Sequence, residues 1–307
     1  MPEFRSISDL LAVFPNEQTI INYLEKHRWN GNVISPYDPT SKVYFCPSNN
    51  QYRCKNTKKF FNVKTGTIFA RSKLSLQKWF LAFYLFSSHK KGISSCQLRK
   101  YLGITQKSAW YLLDDLRDSL KQSSFIKKML EGFVEIDETY VGGKNKNRHW
   151  DKKVPKCQGR SWADKTPLLV MVERGGNAIT KTVPNVRQDT LEPLVRENIK
   201  EGSNVYTDEW FAYKDLNKWF NHKIVNHRKK EYVNGKASVN SAENFNSHLK
   251  RGIQGTYHWI SKKHVQKYAD EFTFRFNTRK CGEQERFDLV LASVVGKRLT
   301  YQQLINP

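Results

Sequence analysis

The chain has 307 residues, which fits about two domains and a full hydrophobic core that needs no covalent staples. Fifty-two Lys+Arg against 29 Asp+Glu leave a formal charge of +23, a field suited to a polyanion. Rings are too frequent for a disordered polyelectrolyte, at 13% aromatic and 38% hydrophobic, and no uncharged apolar run approaches a membrane span. Five cysteines, odd and sparse, make no disulfide framework, and the start of the chain, with Glu3 and Asp9, has no long apolar stretch for export. These features describe a cytoplasmic protein without a membrane partner, built to touch nucleic acid.

Residues 7 to about 28 read as a helical start, with Ser8 and Asp9 able to cap it and Leu10, Leu11, Phe14, Ile20, Ile21 and Leu24 as its apolar stripe. From 29 the character changes to short β-like runs broken by Pro36, Pro39 and Pro47. Between Arg53 and Lys73 there are seven basic residues and no acid, interleaved with Phe60, Phe61 and Phe69. That pattern suits a small basic β unit with a phosphate-contacting surface, although a run of charge is also what a solvated face looks like. Residues 74–129 read as helical throughout, beginning with the apolar Trp79, Phe80, Phe83, Tyr84 and Phe86. Within them, Ser94 or Ser95 caps a short helix, Gly103 closes it, and Thr105 caps a second helix through Leu112, Leu113 and Leu116. Two short helices joined by a glycine turn make a helix-turn-helix, whose second helix offers Gln106, Lys107, Ser108 and Tyr111 to a DNA groove.

From residue 130 the chain alternates in the α/β manner. Strands are expected at 133–139, 167–172, 178–183 and 204–208, with a fifth starting at 223, and helices at 188–200 and 241–252. A basic loop-like insert fills 142–165. The expected division is an N-terminal helix (1–28), a basic β unit (29–73), a helical DNA-binding region (74–129) and an α/β domain (130–307).

Three acids stand out in that last domain. Asp137 lies inside or at the end of a strand otherwise apolar on one face, Asp208 ends another, and Glu243 lies near the start of a helix. Carboxylates at such places are costly unless exposed or paired with cations. If the three converge, a hard divalent ion such as Mg²⁺ or Mn²⁺ offsets their repulsion, and a pair of such ions suits phosphodiester chemistry. If they do not, the aspartates mark turns and Glu243 supports a helix N-terminus. Spacing alone leaves both readings open.

The motifs around these acids say more. Val134-Glu135-Ile136-Asp137-Glu138-Thr139-Tyr140-Val141-Gly142-Gly143, Val205-Tyr206-Thr207-Asp208-Glu209-Trp210-Phe211-Ala212-Tyr213 and Asn240-Ser241-Ala242-Glu243, continuing to Leu249-Lys250-Arg251-Gly252, follow in order. Together with Val63–Phe69 upstream and Glu271–Asn277 downstream, they resemble the acid blocks of bacterial insertion-sequence DDE transposases of the Merlin-like group, over roughly residues 20 to 300. The resemblance implies an α/β fold with an RNase H-like mixed-sheet catalytic domain, preceded by the small β unit and the helix-turn-helix region. It implies Asp137, Asp208 and Glu243 as catalytic residues and ligands of two Mg²⁺ (or Mn²⁺). Glu138 and Glu209 follow the aspartates directly, and strand neighbours point to opposite faces, so the family pattern chooses the aspartates. Lys250, two helical turns beyond Glu243, matches a basic position and would hold a terminal phosphate, with Arg251 beside it as a DNA contact. His227 matches a family position too, where it touches DNA, orients an acid or simply packs.

One departure is plain. The family's N-terminal segment resembles a zinc ribbon with two Cys-x-x-Cys pairs, which fall here on Ser35 and Asp38 and on Cys54 and Thr57. Only Cys54 survives, and a structural zinc needs about four ligands, so zinc is not expected.

The resemblance implies metal-dependent cleavage at terminal inverted repeats and strand transfer into target DNA, carried out in the nucleoid by a dimer or larger assembly. Two other classes stay open: a non-catalytic DNA-binding regulator derived from a transposase, and a different metal nuclease on the same fold. With about eight phosphates neutralised, DNA affinity is expected to fall with a log–log salt slope near about −7, measured by titration at several salt concentrations, and a flat response would remove the polyanion reading.

Overall fold

Pro15 breaks the N-terminal helical stretch in two, because the residue before a proline is pushed out of the helical region. The computed structural model describes residues 4–70, 72–121, 128–142, 145, 148–155, 164–225, 238–294 and 302. It has α1 (Ile7–Val13) and α2 (Glu17–Trp29) in place of one helix. Ser6, not Ser8, caps α1, in a capping box completed by Asp9, and Asn16 caps α2.

Beyond α2, strands β1 (Val43–Cys46), β2 (Gln51–Cys54) and β3 (Phe60–Phe61) form a three-stranded antiparallel sheet. Trp29 and Phe61 are buried, and Trp29, Tyr52 and Phe61 meet within ring-centroid distances of 5.4 to 6.1 Å. Cys54 is fully buried, and the hydroxyls of Ser35, Ser41 and Thr57 hydrogen-bond its sulfur. Burial pushes this thiol up, but those hydroxyls and the Thr57 amide outweigh it and leave it lowered to about 6. Ser35 and Thr57 are two of the four ribbon positions, and a third, Asp38, accepts from Thr40 and Asn56 instead. Hydroxyls gathered on one sulfur are not a ligand set for structural zinc.

Three helices follow: α3 (Leu76–Ser88), α4 (Ser95–Leu102) and α5 (Gln106–Ser119). Ser94 caps α4, Gly103 ends it in the left-handed region at φ 58°, and Thr105 Oγ1 accepts from the Ser108 amide at the start of α5. The Gln106 side chain donates to Ser95 Oγ, tying the two helices across the turn. α5 ends at Ser119, short of the helix expected to run to residue 129, and Leu130 bridges to Ile199.

The second half carries β4 (Phe133–Val141), β5 (Thr166–Glu173), β6 (Ala178–Thr182), α6 (Gln188–Asn198), β7 (Asn204–Thr207), β8 (Asn221–Ile224), α7 (Asn240–Gly252), α8 (Val265–Asn277) and α9 (Glu283–Ser293). The strands form one sheet in the order β6-β5-β4-β7-β8. The first three run as an antiparallel meander, and β7 and β8 add parallel strands on the other side of β4. This is the RNase H-like mixed sheet that the resemblance implies. Alternation sorts its two faces. Val134, Ile136, Leu169 and Met171 pack with Leu191 and Val195 of α6, while Val141, Leu168, Val170 and Val172 pack with Ala242, Phe245 and Leu249 of α7. Where α7 ends, a β-carbon on Gly252 would lie 2.1 Å from the Phe272 ring, so this position admits only glycine.

The chain forms two compact units, 1–119 with 281–307, and 120–280. The tail expected to belong with the α/β domain therefore groups with the N-terminal half. The reason is aromatic: Phe287 of α9 is fully buried against Phe4, Phe80 and Phe83, and Tyr23 and Tyr84 donate to Asp288 and Glu283. Among the described residues no helix is long and apolar enough to cross a membrane.

Candidate active site

The α7 face of β4 carries Glu135, Asp137 and Thr139, and the opposite face carries Glu138. Glu138 accepts from the Tyr213 hydroxyl on the α6 side, so the two adjacent acids do point apart. Asp137 Oδ2 accepts from Asn246 Nδ2 at 2.8 Å, and its Oδ1 accepts from the Glu138 amide. Asp208 lies one residue past the end of β7. The parallel register, Glu135 opposite Tyr206, sets it level with Asp137 when carried two residues on. Glu243 lies in the first turn of α7, where a negative charge is favoured by the helix dipole.

Asp137 feels the other two acids. The Asp137 carboxyl is pushed up to about 6, first by burial and then by the charge of Asp208, with a smaller push from Glu243. The Asn246 amide and the Glu138 amide pull it the other way without offsetting the rise. Two of the three sequence-predicted acids thus raise the third, which a scattered trio would not do. As the side chains stand, no group of three or more His, Cys, Asp or Glu among the described residues is gathered tightly enough to hold a metal ion. The donor set nonetheless fits a hard divalent cation. It offers carboxylate oxygens, and beside them the buried Asn246 Oδ1 has no hydrogen-bond partner among the described residues.

A fourth acid, which the sequence reading passed over, builds the site. Glu135 is fully buried. Its Oε2 accepts from the backbone amides of Ser241 (2.6 Å) and Ala242 (3.2 Å), the first turn of α7. Its Oε1 accepts from Arg174 Nε at 2.6 Å and from the hydroxyls of Ser238 and Ser241. Arg174 in turn donates to Ser238 and lies 4.8 Å over the Tyr206 ring. One carboxylate therefore pins the helix that carries Glu243 to the strand that carries Asp137. The available signal was position: Glu135 lies two residues before Asp137 in a strand and so shares its face.

Lys250 and Arg251 are exposed on the last turn of α7, and Arg251 Nε donates to the Ser247 carbonyl. Of the residues offered by the helical pair, Gln106 and Lys107 are exposed and Ser108 and Tyr111 half-buried. They belong to the first unit and the three acids to the second. His227 lies outside the described residues.

The ISXO2-like transposase domain model matches residues 129–277, which span the sheet and the three acids. An uncharacterized transposase-like protein of Haemophilus influenzae is 36% identical over 106 residues, covering 34% of this chain and 85% of that one. The chain belongs to the ISXO2-like transposase family. This is the insertion-sequence DDE group that the acid blocks resemble. A second relative of the transposase, an uncharacterized protein in transposable element ISH50 of Halobacterium salinarum, is 29% identical over 287 residues, 89% of this chain and 96% of its own. Among solved structures, the Mos1 strand transfer complex aligns with a TM-score of 0.29 and 14% identity over 70% of this chain and 78% of that one, an overlap too loose to bear on the chemistry.

Two acids on one strand face are expected to answer substitution with opposite signs. Glu135→Ala leaves Arg174 and two helix amides without their acceptor and should lower stability by about 3–5 kcal/mol. Asp137 is different: its carboxyl is raised in the fold, so stability falls as pH rises from 3.8 to about 6, and the whole cost is present at pH 8. That cost is on the order of 3 kcal/mol. Asp137→Asn removes it, and the Asn246 amide can turn its unpaired oxygen to the new donor. In metal-free buffer at pH 8, Asp137→Asn should melt above the wild type and Glu135→Ala below it. Equal losses would mean that the two acids sit in equivalent surroundings.

Proposed function

We propose that this transposase binds the terminal inverted repeats of its insertion sequence, cuts the DNA there and joins the freed ends to target DNA. The observation that carries the reading is the raised Asp137 carboxyl, which has Asp208 and Glu243 among its causes. Asp137, Asp208 and Glu243 are the residues that would hold two divalent ions, Mg²⁺ or Mn²⁺. When bound, such ions stabilise the charge that builds on the attacking and leaving oxygens of a phosphodiester.

The chain's own groups do the rest. Asn246 donates to Asp137 Oδ2 and so fixes which way that carboxylate faces. Glu135, acting through the α7 amides, sets the distance between the Glu243 helix and the β4 strand. Lys250 lies on the Glu243 side of α7, seven residues on, and with Arg251 it meets the phosphates flanking the cut. Gln106, Lys107, Ser108 and Tyr111, at the start of α5, read the repeat in a groove. The reaction is an in-line displacement at phosphorus, first by water, which leaves a 3′-OH, and then by that 3′-OH on a target phosphate. Each step forms one P–O bond and breaks one, so no covalent protein–DNA link is needed. Handling two ends together calls for at least two copies of the chain on DNA.

The test uses duplex DNA carrying the sequence that flanks this gene. The wild type is expected to nick it in Mg²⁺ or Mn²⁺ and not in EDTA. Asp137→Asn, Asp208→Asn and Glu243→Gln should each lower the rate by about a thousandfold or more, a few kcal/mol of barrier, while duplex affinity stays within about twofold, since the α5 contacts are untouched. Tight binding by a wild type that does not cut in either metal would assign the chain to a DNA-binding regulator instead.

A further inference from the structure

The small β sheet has two faces, and only one is accounted for by packing. Inward lie Tyr52 and Phe61 against Trp29. Outward, the register sets Tyr44 opposite Arg53 and Arg53 opposite Phe60, one residue from each strand in a single row. All three are exposed, Tyr44 at 50% and Phe60 at 46%. Arg53 leans its guanidinium over the Phe60 ring at 5.6 Å. Neighbouring strands lie about 4.8 Å apart, so two rings stand about 10 Å apart with a planar cation between them.

The end of the sheet beside this row is basic. Lys42 precedes β1, Lys55 follows β2, and Lys58 and Lys59 precede β3; antiparallel pairing brings all four to one end, and all are exposed. The Lys59 ammonium lies 5.2 Å over the Tyr37 ring, itself exposed. Asp38, on the neighbouring loop, is taken up by Thr40 and Asn56.

We infer that this outer face binds unpaired DNA, stacking bases on Tyr44, Arg53 and Phe60 with the lysine end on the backbone. A duplex buries its base faces in its own stack, so it can satisfy the lysines but gives the two rings nothing to lie on. An unpaired strand satisfies both, and aromatic rows on a sheet take two or three bases in this way. A protein partner would meet the rings but also four uncompensated ammonium groups. The inference rests on the proposed strand-cutting role, because cut ends are where an insertion sequence exposes unpaired bases.

The experiment measures anisotropy of the full chain with a labelled oligo-dT of about 20 nucleotides and with a mixed-sequence duplex of about the same length, at one salt concentration. The wild type should bind oligo-dT. Tyr44→Ala/Phe60→Ala should lose about tenfold or more of that affinity and less than about twofold of the duplex affinity, and Tyr44→Phe/Phe60→Tyr, which keeps both rings, should bind as the wild type does. If the alanine pair melts early, Tyr44→Ala alone replaces it, with the same selective loss expected. Equal loss on both DNAs, or no loss, overturns the inference. So does a wild-type dimer that the alanine pair turns into monomer, which would make the face a contact between copies. A chain that nicks DNA but ignores oligo-dT sinks this inference alone, whereas one that binds oligo-dT but never cuts sinks the catalytic reading alone.

Discussion

The geometry of the candidate site hangs on one buried carboxylate. Glu135 is fully buried, and its charge is balanced inside the fold by the Arg174 guanidinium and by the positive end of α7. The apolar contacts that Ala242, Phe245 and Leu249 make with this sheet are non-directional. Hydrogen bonds to two consecutive amides are not. They set where the helix starts, and with it the height of Glu243 above the β4 strand.

Two residues along the same strand face, the balance reverses. Among the described residues Asp137 has a single side-chain donor, Asn246, and the charges of two carboxylates acting on it. Glu135 is an anion made comfortable and Asp137 one left in tension, and on the proposed reading that contrast separates scaffold from reactive position. Asn246 has one end engaged with Asp137 and its oxygen unengaged in the interior. That is a costly arrangement for a purely structural amide, and it fits a pocket that is complete only with a cation. Glu243 and, three positions on, Asn246 are neighbours along α7, as residues so spaced are on any α-helix.

Much of this was legible in the residues. Alternation and apolar runs located all five strands of the large sheet to within a few residues, most clearly β4 and β5, which are long and largely apolar, and least clearly the short polar β8. Ser94, Gly103 and Thr105 punctuate the helical pair where capping chemistry requires. The resemblance of the three acid blocks carried the family. What stayed hidden depends on tertiary partners. Nothing local distinguishes Glu135 from a solvated acid until Arg174, 39 residues on, and Ser241, 106 residues on, come to meet it. Nothing local shows that Ser41, outside the ribbon pattern, turns its hydroxyl to Cys54. The N-terminal cap was misread for a nearer reason, since Ser6 and Ser8 are chemically alike and the choice falls to the residue whose spacing to Asp9 closes the box.

The return of α9 to the first unit bears on how the protein is made. A ribosome releases the chain from its start at about 5–20 residues per second, so Phe4, Phe80 and Phe83 emerge long before Phe287. Until α9 follows, the aromatic layer lacks its lid, and the helical pair and the small sheet rest on an unfinished core. The middle of the chain has no such wait, since the large sheet and its flanking helices are complete by residue 280. Maturation therefore runs from the inside of the sequence outward, and a message cut short near its end would yield an intact sheet domain attached to a first unit that cannot close.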